Sequence, residues 1–375
     1  MKIQKLIDPI LKVLDPFIEL QKILAVKGNN LLIGEHLIDF TDRRFHIISI
    51  GKTAAPLLSS LQRFFKENRI ETKKMNAIIL DHCESLTEEF TFLFQHLTGS
   101  HPIPSQKSFQ ATQELIDYLA TINEEDICLF LISGGTSAIL ELPKETITLL
   151  EFEKRSQDLF ERGLPIAELN RERIHLSQVK GGGLLNFLKC KNIYNLIVND
   201  TPYEKDDWVG SGPTMSDRAI SIHWDNRAKL KMRLEESIPE VLWLLEPQFN
   251  NWEEFYQLVK YQNQKMVGLL GEITLTLPKE RGKGGRNTHY SAYLLDQMTK
   301  GRVKLRSFLS IATDGEDGSS DSAGAYWNDS DNINSELLES ALKTFDSASF
   351  FSRQGGLISK FKSPTNLMDI RIYFV

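Results

Sequence analysis

The sequence predicts an α/β protein, with a larger N-terminal Rossmann-like domain built on a parallel sheet and a smaller C-terminal α/β domain. Three observations predict it. Short apolar runs end in glycine loops and lead into helix-period segments, which is how successive βα units read. The runs are continuous rather than alternating, as expected for strands covered on both faces. A length of 375 residues exceeds what one hydrophobic core usually serves, so two domains are expected.

Phe45 to Ile50 reads as a core strand running through Gly51-Lys52 into a helix from about Thr53 to Asn68. In that helix Leu57, Leu58, Leu61, Phe64 and Phe65 recur at helical spacing. Met75 to Leu80, Ile127 to Ile132 and Ile193 to Val198 read as further buried strands. From about Ser216 to Val267 the pattern turns helical, with few turn signals, and predicts a helical link between domains. A second α/β unit follows: a strand at Ile273 to Leu277, a glycine loop, a helix from His289 to about Lys300, a strand at Ser307 to Ala312 and a last strand at Ile370 to Val375.

Composition narrows the function classes. Hydrophobic residues at 41% and charged residues at 25% exclude a disordered or fibrous chain. The formal charge of -6, with Lys and Arg spread along the chain, shows no basic face for nucleic acid. Cys83, Cys128 and Cys190 are far apart and match neither a disulfide framework nor a zinc spacing, so reduced thiols are expected. Asp8 and Pro9 interrupt the N-terminus before a signal-peptide core could form, and the apolar runs are too short to cross a bilayer. The expected location is the cytoplasm, with no membrane partner.

Seven polar loops beside apolar strands carry the candidate chemistry. Ile50-Gly51-Lys52-Thr53 lacks the first glycine of a P-loop, since His46 stands there, but it puts a lysine where a helix N-terminus favours an anion. A solvated lysine beside a tight turn is the alternative. Ser133-Gly134-Gly135-Thr136-Ser137 suits close backbone approach to a phosphate, or a structural turn. Lys180-Gly181-Gly182 follows a helical segment with Asn170, Arg173 and Ser177, of which the last two share a face; a glycine-capped surface helix explains it equally. Gly284-Gly285-Arg286-Asn287 aims backbone donors and a guanidinium at one spot, suited to phosphate or carboxylate. Thr313-Asp314-Gly315-Glu316-Asp317-Gly318 fails the EF-hand pattern; its acids suit Mg²⁺ on nucleotide phosphates, acceptance of a hydroxyl proton, or a solvated turn. Ser211-Gly212-Pro213-Thr214 is a further small polar loop, as is Ser363-Pro364-Thr365-Asn366.

Taken in order, these residues resemble the glycerate 2-kinases that carry a C-terminal MOFRL domain, some of whose members are labelled hydroxypyruvate reductases. The match runs from Gly51-Lys52 through Gly99-Ser100-His101-Pro102, Ser133-Gly134-Gly135, Asn170, Arg173, Lys180-Gly181-Gly182, Asp200 and Ser211-Gly212-Pro213-Thr214. It continues through Gly284-Gly285-Arg286-Asn287, Thr313-Asp314-Gly315 and Thr365-Asn366 with Asp369. The resemblance implies domains at 1–240 and 241–375, and phosphorylation of D-glycerate or a related small hydroxy acid by ATP with Mg²⁺, in a cleft between them. It implies Lys52, Arg286, Asp200 and Asp314 as catalytic residues. Ser133, Gly134, Gly135, Lys180, Gly181, Gly182, Ser211, Gly212, Thr214, Gly284, Gly285 and Asn287 would bind the nucleotide. Asn170, Arg173 and Ser177 would bind substrate, and Asp314 and Asp317 the metal. The partners it implies are a hydroxy acid and a nucleotide, with a homodimer left open.

The chain departs from the family pattern at four places: Thr136 for a third glycine, Gly183 for an arginine, Tyr203-Glu204-Lys205 for Gly-Asp-Asp, and Ser363-Pro364 for a glycine-rich loop. They support, as one alternative, a catalytically degenerate member that binds a nucleotide or small acid. The other alternative is an NAD(P)H-dependent hydroxypyruvate reductase, which would carry a Gly-x-Gly-x-x-Gly fingerprint; Gly210-Ser211-Gly212 lacks its third glycine.

Overall fold

The computed structural model describes residues 2–161, 166–201, 205–249, 256–257, 264–273, 275, 278, 280–329 and 332–375. The chain forms two compact units, one of residues 16–226 and one that joins 1–15 to 227–375.

In the first unit a three-stranded antiparallel meander, β1 (Leu24–Lys27), β2 (Asn30–Ile33) and β3 (His36–Asp39), precedes the main sheet. That sheet comprises β4 (Phe45–Ile50), β5 (Met75–Asp81), β6 (Leu93–Thr98), β7 (Ile127–Ile132), β8 (Asn192–Asn199) and β9 (Ala219–Asn226). All neighbours are parallel, in the order β6-β5-β4-β7-β8-β9. Every residue of β4 and β7 is buried, as their unbroken apolar runs require. The helix Ala54–Glu67 lays Leu57, Leu58, Leu61 and Phe65 into the core, its apolar positions falling on one stripe. From β4 the chain winds outward to β5 and β6, then returns across β4 and winds the other way through β7, β8 and β9. The order therefore reverses between β4 and β7, where an open α/β sheet leaves a crevice outside its carboxyl ends.

The second unit holds β10 (Leu242–Phe249), β11 (Met266–Ile273), β12 (Ser307–Ala312), β13 (Ser322–Asn328), β14 (Leu357–Ser359) and β15 (Asp369–Phe374), in the order β10-β11-β15-β12-β13-β14. Only β10 and β11 pair in parallel; the rest are antiparallel. Gly268 in β11 leaves room for the Trp243 ring of β10, into which a Cβ would drive. Helices Arg286–Thr299, Ser335–Thr344 and Ser347–Gln354 supply Leu294, Leu295, Leu338, Phe350 and Phe351 to its core. The N-terminal segment belongs here too: the Ile3 amide donates to Asn328 Oδ1 at 3.1 Å, and Arg233 Nε donates to the Val13 carbonyl at 2.9 Å.

Two expectations need correction. Among the described residues, the stretch expected to be a helical link holds the helix Arg227–Ser237 between the strands β9 and β10, and a helical pair at 256–257; the two strands take up most of the rest. In β9 the apolar Ile220, Ile222 and Trp224 alternate with Ser221 and His223, the period of an edge strand with one wet face. The strand expected at Ile273 to Leu277 lies earlier, at Met266–Ile273, where the apolar run is continuous; positions 274, 276 and 277 fall outside the described residues.

Candidate active site

In the first unit the loops after β4 and β7 meet at the point of reversal. The Lys52 amide donates to the Gly134 carbonyl at 2.9 Å, and the Ser133 amide to the Ile50 carbonyl at 3.0 Å. Gly135 sits at φ 84, left-handed backbone that glycine takes without strain, and starts the short helix Thr136–Ile139. Among the described residues neither the Gly134 nor the Gly135 amide has a hydrogen-bond acceptor. Two adjacent amides at a helix start form a nest suited to phosphate oxygens.

Three side chains crowd this nest. A Cβ at Gly134 would overlap the Asp200 carboxylate, and one at Gly135 would come within 2.7 Å of Lys52 Cγ and 3.3 Å of His101 Cδ2. Glycine is therefore demanded here by close approach of an acid, a lysine and an imidazole. His101 was not among the residues expected at the site; its place in Gly99-Ser100-His101-Pro102 was the only signal. Burial, then the charge of Lys52, then His82 at 5.8 Å between ring centroids, push its pKa down to about 4, so it is neutral at neutral pH.

Thr136, which stands for the third glycine, turns inward. It is fully buried, and its hydroxyl lies 2.7 Å from the Ser133 carbonyl and 3.2 Å from that of Ile50. Gly183 needs no arginine, because a Cβ there would overlap the Gln178 carbonyl. Tyr203 and Glu204 lie outside the described residues.

The other loops of this unit are tied to each other. The Gly181 and Gly182 amides donate to the Ser211 and Gly212 carbonyls at 2.9 and 2.7 Å. Lys180 is fully buried, with its ammonium against the Glu141 carboxylate. Burial lowers its pKa, against the pull of Glu141. Arg173 also feels the charge of Glu141. Ser211 Oγ donates to Asn170 Oδ1 at 2.9 Å and lies 3.1 Å from Ser137 Oγ, linking this clasp to the nest. The Thr214 carbonyl accepts from Asn195 Nδ2 at 3.1 Å, and Ser177 Oγ accepts from the Val179 amide at 3.3 Å. Lys180, Gly181 and Gly182 thus spend their donors inside the protein, as Ser133 does on Ile50, while the Gly134 and Gly135 amides stay open.

The second unit gathers Glu272, Arg286, Asp314 and Asp369 at one end of its sheet, where β11 and β12 finish and β15 begins. Arg286 grips Glu272 with two nitrogens, at 2.9 and 3.0 Å, and lies 4.0 Å from Asp369. Burial opposes its charge, but Asp369 and Glu272 outweigh it and hold the guanidinium above its ordinary pKa. Asn287 is buried, donating to Asp369 Oδ1 at 3.0 Å and accepting from Ser310 Oγ at 2.6 Å. Asp317 accepts from the Asn287 and Thr288 amides, both at 2.8 Å, and is 2% exposed. It caps the helix Arg286–Thr299 and takes the place an external anion would have there. Gly284 and Gly285 pack on Ser347 and Asp317 with no room for side chains. Asp314 remains at the open end of β12, half-buried, with Oδ1 accepting from the Glu316 amide at 3.1 Å. Ser363 is buried and donates toward the Thr313 carbonyl, closing the shortened loop on the end of β12.

The family model of the domain of unknown function DUF4147 matches residues 2–243. The chain belongs to the DUF4147 family. The MOFRL family model matches residues 266–369, within the second unit. A relative from Picrophilus torridus named glycerate 2-kinase is 25% identical, over 99% of this chain and 95% of its own. One from Agrobacterium vitis provisionally named a hydroxypyruvate reductase is 34% identical over 32% of this chain and 28% of its own. The crystal structure of a glycerate kinase from Thermotoga maritima superposes with a TM-score of 0.76 at 20% identity, covering 99% of this chain and 98% of that one. The α/β fold expected for this DUF4147 chain, a parallel sheet followed by a separate mixed sheet, is thereby borne out.

Proposed function

We propose that the protein is a glycerate kinase, transferring the γ-phosphoryl group of ATP to the 2-hydroxyl of D-glycerate to give 2-phosphoglycerate and ADP. The observation that carries this reading is the pair of open amides at Gly134 and Gly135, at the reversal of the sheet, with Lys52 and Asp200 against them. Phosphoryl transfer asks for positioned donors and charge around the transferring group rather than covalent chemistry. The two amides and the Lys52 ammonium supply these to the phosphate oxygens. Asp200 takes the proton of the acceptor hydroxyl as its oxygen bonds to phosphorus and the bridging oxygen leaves with ADP. Neutral His101 accepts a hydrogen bond from the acid's second hydroxyl without adding charge. Within the second unit Arg286 is the proposed phosphate-side group.

Mg²⁺ would find hard oxygen at Asp314, and one carboxylate suffices where phosphates complete the shell. When bound it neutralises phosphate charge. Asp317, consumed as a helix cap, is not proposed as its ligand. No observation favours a reductase, and Thr136 and Gly183 support retained chemistry, since neither fills the nest.

Incubation with MgATP and D-glycerate, following ADP release and consumption of the product by enolase, tests the proposal. We expect turnover, and a fall in kcat of about 100-fold or more in Lys52→Ala. Oxidation of NADH by hydroxypyruvate without ADP release would overturn it.

A further inference from the structure

A cavity of about 470 Å³ lies at the opposite end of the main sheet, where β4 and β5 begin. Six residues of strand put it about 20 Å from the Lys52 loop. Its volume is that of a small-molecule site. The walls are apolar, from Val26, Phe40, Phe45, Ile70 and Met75, with the amide side chains of Asn29 and Asn68 among them. The rim is cationic: Arg43, Arg69, Lys73 and Lys74 all line it, against the single acid Glu71. Among the described residues only Lys74 of these four is ion-paired, with the exposed Asp42 at 3.3 Å. In a chain of net charge -6 such a cluster is local, and pairing of Phe45 with Met75 brings its two sequence segments together.

Arg69 adds an independent observation. The helix Ala54–Glu67 ends in a Schellman turn, with the Ile70 amide on the Phe65 carbonyl at 2.9 Å and the Arg69 amide on that of Lys66 at 3.2 Å. The residue after the cap must be left-handed, usually glycine, and here it is Arg69 at φ 55. An arginine held in that conformation on the rim of a cavity has the character of a ligand clamp.

We propose that this cavity binds a nucleoside phosphate, the flat base between the apolar walls and the phosphate on the arginine and lysine rim. Guanidinium groups match phosphate oxygens in pairs, and apolar walls match a π-face.

The test is NMR of the full chain labelled at methionine methyl carbons, titrated with AMP, adenosine or inorganic phosphate. Met75 lines the cavity, and Met215, beside Gly182 and Gly212, reports separately on the candidate active site. We expect AMP to shift the Met75 resonance saturably, adenosine and phosphate each to bind at least about tenfold more weakly, and Arg43→Gln to cost AMP about tenfold. Arg69→Gly should raise Tm while weakening AMP, since it relieves the turn and removes the clamp. A Met75 resonance unmoved by AMP would overturn the proposal, as would an unchanged response in Arg43→Gln combined with Lys73→Gln. Movement of Met215 alone assigns AMP to the active site and likewise overturns it.

Discussion

Lys52, His101 and Asp200 are separated by up to 148 positions, yet each packs where one of two adjacent glycines lacks a Cβ. Lys52 could be read from the sequence as a lysine at a strand-to-helix junction, and Asp200 only through the family resemblance. His101 could not, because its meaning depends on burial beside Lys52, which no local pattern encodes. The same burial has a consequence for stability. His101 titrates near 4 when folded and near 6.5 when unfolded, so between those values the unfolded chain binds more protons. Stability is therefore lost as pH falls from about 6.5 toward 4. His101→Gln should flatten that part of the loss, which urea midpoints at pH 7 and pH 5 will measure. His46 and His289, also depressed by burial, keep the remainder.

At the scale of elements, the loops that looked alike in sequence divide by where their donors go. Glycine-rich composition announced each turn but not its hydrogen-bond partner, which lies tens of residues away. The Lys180 loop closes on the Ser211 loop and buries its cation on Glu141; the Asp317 turn closes on a helix start. Glu141→Gln should destabilise the first unit by about 3–5 kcal/mol, because it strands a buried ammonium. Replacing the pair together by Leu and Met should cost much less, and a double-mutant cycle in denaturant separates the two. Strands with both faces covered, such as β4 and β12, stood out as continuous apolar runs. The edge strand β9 did not, since its alternation of Ile220, Ile222 and Trp224 with polar residues was overshadowed by the helical period of the segment after it.

For the whole molecule, the two α/β units were legible from length and the recurrence of strand and helix patterns. The return of residues 1–15 to the C-terminal unit was not, because an amphipathic helix carries no mark of the surface it will meet. Ile3, Leu6, Ile10 and Leu14 are buried there. Deleting residues 2–15 should leave amide exchange in β4 and β7 unchanged and speed it in β12 and β13, measured by hydrogen exchange with mass spectrometry.

That arrangement also sets an order of events on the ribosome. The first fifteen residues emerge long before the strands they pack on, whereas residues 16–226 form a unit that is complete as soon as Asn226 has cleared the exit tunnel. The nested unit is thus positioned to fold first, while the amphipathic segment 1–15 waits for residues 227–375. A nascent chain arrested shortly after that point should already protect its parallel sheet from protease, with the tail still open to cleavage.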